Sequence, residues 1–515
     1  MDVHAFAVNE SVRVPNSLVL MTDQHRIDSI GVLTPGSNAG VSTPFLDRLA
    51  EEGTVFSRAY TPTAICSPAR ASLLTGAAPF RHQVLANAEW NIGYSTELDP
   101  DCWTYTAELE RRGYNVGLIG KYHVGAALPP STFGMDDISF AGATNPAGDP
   151  RYVAWLEEHR HPPVAVSDVV RGTLPGGRPG HVLAARLEQP VEATFEHYLA
   201  DLAIERLREY AADYRAVGRP FSLDLHFFGP HLPYIIPGEY FDLIDPDLIE
   251  LPPSFGETFA GKPQIQSNYS RYWSTDSFSA DEWRKLIAIY HGYVSLIDLE
   301  IGRVLAELHA LGLTDSTAVF FCADHGEFTG AHRLNDKGPM AYEDILRIPM
   351  IVRAPGSNRN QRSAALVSLL DVPATILDLA GIQPTLVIDG RSLVPHLLGD
   401  GTGSRDELLC EFHGHHFPLQ QRILVTDRYK LVVSPESLNE LYDLATDPFE
   451  LTNRYTAPVY DQLRRGLLVR LYQILVERGD LVFAKWMLAT TDVPLPIDTF
   501  SGTAYARVAP AGDEE

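Results

Sequence analysis

Four short apolar runs, each continuous rather than alternating, confine this chain to a narrow set of folds: SLVLMT (17–22), NVGLIG (115–120), FSLDLHFF (221–228) and TAVFFCA (317–323). A strand that is apolar on both faces must be covered on both, so these runs predict buried strands of a mostly parallel sheet. Helical patterns separate them, over 43–53, 106–113, 195–218 and 282–312. The alternation predicts an α/β fold, a large mostly parallel sheet sandwiched by helices. Polar groups follow each run: Asp23-Gln24-His25, Lys121-Tyr122-His123, Pro230-His231 and Asp324-His325. In an open sheet of this kind ligands bind beyond the carboxyl ends of the strands, so the four strand ends are expected to aim at one crevice.

Charge limits what such a crevice serves. The 515 residues carry 41 Lys plus Arg against 66 Asp plus Glu, a formal charge of −25. That balance argues against nucleic acid or an anionic membrane as partner, and an anionic substrate has to be met by a local cluster of cations. Cys66, Cys102, Cys322 and Cys410 are widely spaced and form no CxxC pair, which points away from a zinc ribbon or a disulfide framework. The N-terminal stretch MDVHAFAVNESVRVPN lacks a basic region followed by an apolar one, so a cytoplasmic protein without a membrane anchor is expected. Composition shifts near 397–408, after which 422–434 and 440–448 read as a short antiparallel unit followed by a helix at about 457–478. The expected division is a catalytic domain over 1–400 and a smaller C-terminal α+β subdomain with a tail over 401–515.

The stretch AICSPARASLLTG (64–76) places a cysteine at a helix start. Pro68 suits the first helical position, Ser67 is expected to cap, and Gly76 to end the helix. Cys66 then lies at the positive end of the helix dipole, with Arg70 one turn further on the same face, able to return to the Cys66 side chain or to an anion held there. The residues alone leave two readings open, an inert buried cysteine and a low-pKa thiolate nucleophile.

Cys-x-Pro-x-Arg followed by Ala-Ser-Leu-Leu-Thr-Gly resembles the signature of the type I sulfatases, of the alkaline-phosphatase-like superfamily. Other blocks resemble that family in the expected order from about residue 16 to 453: NSLVLMTDQHRIDSIG, GYNVGLIGKYHVG, GPHLPY, FFCADHGEFTGAHRLNDKGPMAYED and RYKLVVS…NELYDLATDPFELTN. The resemblance implies that a formylglycine-generating enzyme oxidises Cys66 to Cα-formylglycine. It implies one divalent metal held by Asp23, Gln24, Asp324, His325 and an oxygen of residue 66, with calcium expected first and manganese or zinc as alternatives. It further implies that Arg70 and Lys121 hold and polarise the formylglycine and that His123 is the base. His231 and Lys337 would bind the sulfuryl oxygens and serve the leaving group as acid. Gln24 and His325, where many sulfatases carry Asp and Asn, resemble instead the phosphonate monoester hydrolase and choline-sulfatase side of the superfamily.

The function expected is therefore hydrolysis of a small-molecule sulfuric ester, with a phosphonate monoester or phosphodiester as the alternative substrate. A catalytically silent binding protein on the same scaffold is the reading of a different class. His413, His415 and His416 in HGHH fit no common zinc spacing and read as a solvated or substrate-side loop. Asn87 and His332 stay outside the catalytic set. Phe483, Trp486, Met487 and Phe500, in the tail after Asp480, are candidates for packing across a subunit in a homo-oligomer.

Overall fold

The computed structural model describes residues 16–33, 40–90, 93–125, 127–401 and 403–493. The apolar runs form the strands β1 (Asn16–Thr22), β3 (Asn115–Lys121), β5 (Phe221–His226) and β6 (Thr317–Ala323) of an eight-stranded sheet. Four strands complete it: β2 (Thr54–Phe56), β4 (Asp136–Phe140), β7 (Met350–Arg353) and β8 (Gln361–Ser363), in the order β8-β2-β7-β6-β1-β5-β3-β4. Only β7 runs against its neighbours, so the mostly parallel sheet is observed.

Continuous apolarity has the expected cause. Leu18 and Leu20 of β1 enter one core, with Leu223, Phe321 and helices α4 (Phe195–Val217) and α6 (Ala280–Ala310). Val19 and Met21 enter a second core on the opposite face, with Leu73 and Leu74 of α2 (Cys66–Thr75), Leu109 of α3 (Tyr105–Arg111) and Leu377 of α7 (Asp371–Leu379). Helix α1 (Pro44–Glu52) adds Leu46 and Leu49 to the first, and Asp298 of α6 accepts hydrogen bonds from the amides of Phe45 and Leu46 at its start.

The C-terminal part forms a four-stranded antiparallel sheet, β9 (Glu407–Gly414), β10 (Pro418–Thr426), β11 (Tyr429–Val433) and β12 (Glu440–Asp443). Helices α8 (Asp461–Arg478) and α9 (Leu481–Thr490) cover its outer face. Phe483 and Met487 of α9 are buried there within their own chain, which removes them from any subunit interface; Phe500 lies outside the described residues. No helix among the described residues is long and apolar enough to cross a membrane.

Candidate active site

Helix α2 starts two residues earlier than the cap chemistry suggests. Cys66 is its first residue and Ile65 its N-cap, with no side-chain cap. Ser67 does not cap; its Oγ finds no partner, while its backbone N–H donates to Asn87 Oδ1 at 2.9 Å. Gly76 ends the helix at φ 61°, as expected.

Arg70 directs its guanidinium to the strand ends, while its charge still acts on Cys66. Its Nη2 donates to Asp23 Oδ2 at 2.7 Å, its Nε to Asp324 Oδ2 at 3.0 Å, and its Nη1 to the Lys121 carbonyl at 2.7 Å. Lys121 Nζ reaches the same Asp23 Oδ2 at 2.7 Å. Each carboxylate thus has one oxygen fixed by a cation. Asp23 Oδ1 lies 4.0 Å from Cys66 Sγ, and Asp324 Oδ1 accepts the amides of Gln24 and His325 at 3.0 and 2.9 Å. One ligand atom from each of Asp23, Cys66, Asp324 and His325 lies within 4.8 Å of the others, and all four residues are buried.

The imidazoles are oriented by their second nitrogens. His325 Nδ1 is 2.9 Å from the Gly326 carbonyl, which fixes the proton there and turns Nε2 towards Cys66 Sγ at 3.2 Å. His123, at φ 51°, meets Glu89 Oε1 through Nε2 at 2.6 Å and keeps a buried Nδ1 without a hydrogen-bond partner. His231 donates from Nδ1 to the Leu232 carbonyl at 2.5 Å, and its Nε2 lies 2.7 Å from Lys337 Nζ. Lys337 also donates to Gln24 Oε1 at 3.0 Å. The Gln24 amide nitrogen is anchored on Glu327 and Asp336, so its oxygen faces Lys337 and retains one lone pair.

Dryness and mixed charge set the protonation states. Burial and the Cys66 sulfur raise the Asp23 pKa, yet Lys121 and Arg70 outweigh them and hold it well below the usual carboxylate range. Burial and then the Asp23 charge push Asp324 up to about 6. Burial opposes ionisation of Cys66, but Lys337, Lys121 and His325 bring its pKa well below that of a free thiol. Burial, aided by the Lys337 charge, lowers His231 and keeps it a neutral acceptor for the Lys337 ammonium. Two converging carboxylates, a neutral-capable imidazole and a surrounding ring of Arg70, Lys121 and Lys337 suit a dication together with an anionic ester.

Some functional positions escaped the sequence reading. His226 and Asp224 interrupt the apolar run of β5, a signal in plain view; His226 Nδ1 lies 3.2 Å from the Lys121 carbonyl and 3.4 Å from Arg70. Glu327 and Asp336 lie inside a matched block without standing out there, and Glu89 gave no signal. The HGHH segment is not solvated: His413 pairs with Glu411 at 2.9 Å inside β9, and His415 is 3 % exposed, facing Asp336. His332 stacks on Tyr342 at 3.8 Å between ring centroids and pairs with Glu257, a structural arrangement.

The sequence model of the family described as Sulfatase matches residues 15–382, and that described as N-sulphoglucosamine sulphohydrolase, C-terminal, matches 330–477. The chain belongs to the sulfatase family. As a sulfatase it is a hydrolase of sulfuric esters. Its relatives include the sulfatase YidJ of Escherichia coli K12, 28 % identical over 85 % of this chain and 82 % of that one. Human arylsulfatase K is 28 % identical over 90 % of this sulfatase and 83 % of its own length. Among solved structures, the phosphonate monoester hydrolase of Agrobacterium radiobacter superposes with a TM-score of 0.75 at 24 % identity, covering 90 % of this chain and 96 % of that one, and so shares the fold.

Proposed function

We propose that this sulfatase cleaves a sulfate monoester through a Cα-formylglycine made from Cys66, with one divalent cation held by Asp23, Gln24, Asp324, His325 and residue 66. The observation that carries this reading is the convergence of the buried Asp23, Cys66, Asp324 and His325 within 4.8 Å. Three hard oxygen donors favour calcium, and the single imidazole keeps manganese and zinc as alternatives. When bound at these residues the cation would acidify a hydroxyl of the hydrated aldehyde at residue 66, and the second hydroxyl would give the covalent ester a route to release.

The chain's own residues do the rest. Arg70 and Lys121 hold Asp23 and Asp324 in one orientation and balance their charge. His123, oriented through Glu89, presents its free Nδ1 as the proton acceptor at position 66. Lys337 and His231 share one proton-rich contact, placed to bind sulfuryl oxygens and to protonate the departing alkoxide. Maturation calls for a formylglycine-generating enzyme acting on the nascent CSPAR segment.

Gln24 and His325 favour a second reading, hydrolysis of phosphonate monoesters or phosphodiesters at the same site. Mass measurement of the tryptic peptide containing Cys66, with aryl sulfate and aryl phosphonate ester hydrolysis on the same preparation, tests both. The expected result is an aldehyde and a preference for the sulfate. An intact thiol in fully active enzyme rejects the formylglycine, and a strong preference for the phosphonate ester moves the assignment to the second reading.

A further inference from the structure

The HGHH motif has no task in the reaction above, yet it meets the segment that carries Lys337. His415 and His416 stand in the turn between β9 and β10, where the His415 amide donates to the Phe417 carbonyl at 3.3 Å. Opposite them is Asp336, which is 1 % exposed; its amide donates to Glu327 Oε1 at 2.5 Å and its carbonyl accepts from the Phe328 amide at 3.0 Å, so its backbone is held. Asp336 Oδ1 accepts from Gln24 Nε2 at 3.0 Å, whereas its Oδ2 has no hydrogen-bond partner. His415 Nε2 faces that open oxygen from 3.8 Å, and one ligand atom from each of Asp336, His415 and His416 lies within 4.8 Å of the others. The rings are held as well: His416 stacks on Tyr272 of α5 (Gln264–Tyr272) at 4.4 Å between centroids and lies 3.8 Å from the ring of His415. His416 is half-buried beside the exposed Tyr272, so the cluster can be reached from solvent.

A buried carboxylate oxygen without a donor calls for a partner. At 3.8 Å the His415 ring is too far away to be that partner by a hydrogen bond. The spacing is instead within a few tenths of an ångström of the about 3.4 Å that separates neighbouring ligands of a tetrahedral ion with bonds of about 2.0–2.1 Å. Two imidazoles and one carboxylate suit zinc and its first-row neighbours rather than calcium or magnesium, and three protein ligands leave a fourth position open. The local charge admits a cation. Lys337 Nζ lies 3.3 Å from Asp336 Oδ1, but the Gln24 amide nitrogen donates to Glu327 as well as to Asp336, so two acids face one ammonium. We propose that Asp336, His415 and His416 form a second metal site, separate from the cluster around Cys66, which takes a first-row transition dication, zinc foremost. Such an ion joins the turn of the C-terminal sheet to the segment that carries Lys337.

Neither turnover nor the state of residue 66 enters this assignment, so metal binding alone tests it. Full-length protein stripped with a chelator would be dialysed against zinc chloride in excess calcium and its zinc counted by elemental analysis. The native chain is expected to retain one zinc more than His415→Gln or His416→Gln, whereas Asp324→Asn, changed in the other cluster, is expected to keep that zinc. Zinc is also expected to raise the melting temperature of the native chain and not that of the two histidine variants. Copper(II) in place of zinc gives a reading on the native chain alone: its electron spin resonance is expected to show coupling to two imidazole nitrogens, where the cluster around Cys66 offers one. Equal zinc in the native chain and both histidine variants, zinc that leaves the native melting temperature unmoved, or copper coupled to a single nitrogen overturns the proposal. A native chain that keeps this zinc but holds no ion at Asp23 and Asp324 counts against the catalytic cation and leaves the second site standing.

Discussion

At the scale of single residues the site turns on Arg70, whose guanidinium ties together the ends of three strands: Asp23 after β1, Asp324 after β6 and the Lys121 carbonyl at the end of β3. A planar fork of donors does this; a single ammonium does not. Arg70→Lys keeps the charge but frees at least one carboxylate to rotate. Cation affinity is expected to fall about 10–100-fold, as for other residues that orient metal ligands. The check is the calcium concentration needed to raise the melting temperature of the variant against that for the native chain. Cys66 has its own test. Cys66→Ser offers one hydroxyl where the proposed aldehyde hydrate would offer two, so attack on sulfur leaves the sulfuryl group on Ser Oγ with no internal route out. The expected outcome is at most one turnover per chain, with a sulfated peptide seen by mass spectrometry; sustained turnover at a near-native rate would reject the need for the second hydroxyl.

At the scale of elements, the crevice is built by parallel strands ending together, and close backbone approach makes that possible. Gly120 in β3 has φ +99°, and a Cβ there would stand 2.0 Å from the His226 carbonyl of β5. Gly120→Ala must therefore part the two strands that present Lys121 and His226. A loss of more than about 3 kcal/mol of stability is expected, together with lost activity, read by denaturant unfolding and initial rates. Asp224, in the middle of β5, is fully buried against the Tyr105 hydroxyl at 2.6 Å, and burial raises its pKa from 3.8 to about 7. The folded state therefore keeps this proton where the unfolded chain has lost it. The stabilisation is complete below about pH 4 and is lost as pH rises through about 7. Asp224→Asn keeps an acceptor for Tyr105 without the charge, so its unfolding free energy should exceed the native value at pH 8 by on the order of a few kcal/mol, and the gap should close near pH 4. The strands were legible because two-sided burial leaves a run of apolar residues that nothing else in the chain imitates, and the strand-end residues followed from them. Ser67 as a cap was misread because Cys66 itself begins the helix. Glu89 and Asp336 were silent because an acidic residue in a loop looks the same whether it faces water or an imidazole. The strand β9 was missed because its HGHH end reads as polar loop, although His413 is buried against Glu411 and the phenyl ring of Phe412 is buried too.

At the scale of the molecule, the small antiparallel sheet packs against the loops that carry the site. One core combines Tyr60, Phe328, Leu334 and Met340 with Leu408, Ile423, Val432 and Tyr442. The Glu411 amide donates to the Pro62 carbonyl just ahead of helix α2, and the Phe80 amide donates to Glu411 Oε2. Lys430 of β11, fully buried, pairs with Glu343 at 3.0 Å and with Glu450 at 2.6 Å, joining the segment after Lys337 to the C-terminal sheet. Burial and the neighbouring Glu343 push Glu450 up to about 7, with Lys430 opposing. Lys430→Met keeps the length of the side chain and removes the charge, which leaves buried Glu450 without its ion pair and Glu343 with Arg347 alone. A loss of about 3–5 kcal/mol is expected. Because the apolar core is continuous across the composition shift near residue 400, native and variant protein should each unfold in a single calorimetric transition, and a chain ending at residue 400 should fail to fold, exposing Phe328, Leu334 and Met340. Two separate transitions, or a soluble cooperative fragment of residues 1–400, would show instead that the sheet is an independent domain, and the orientation of His415 and His416 towards Asp336 would then rest on a detachable part.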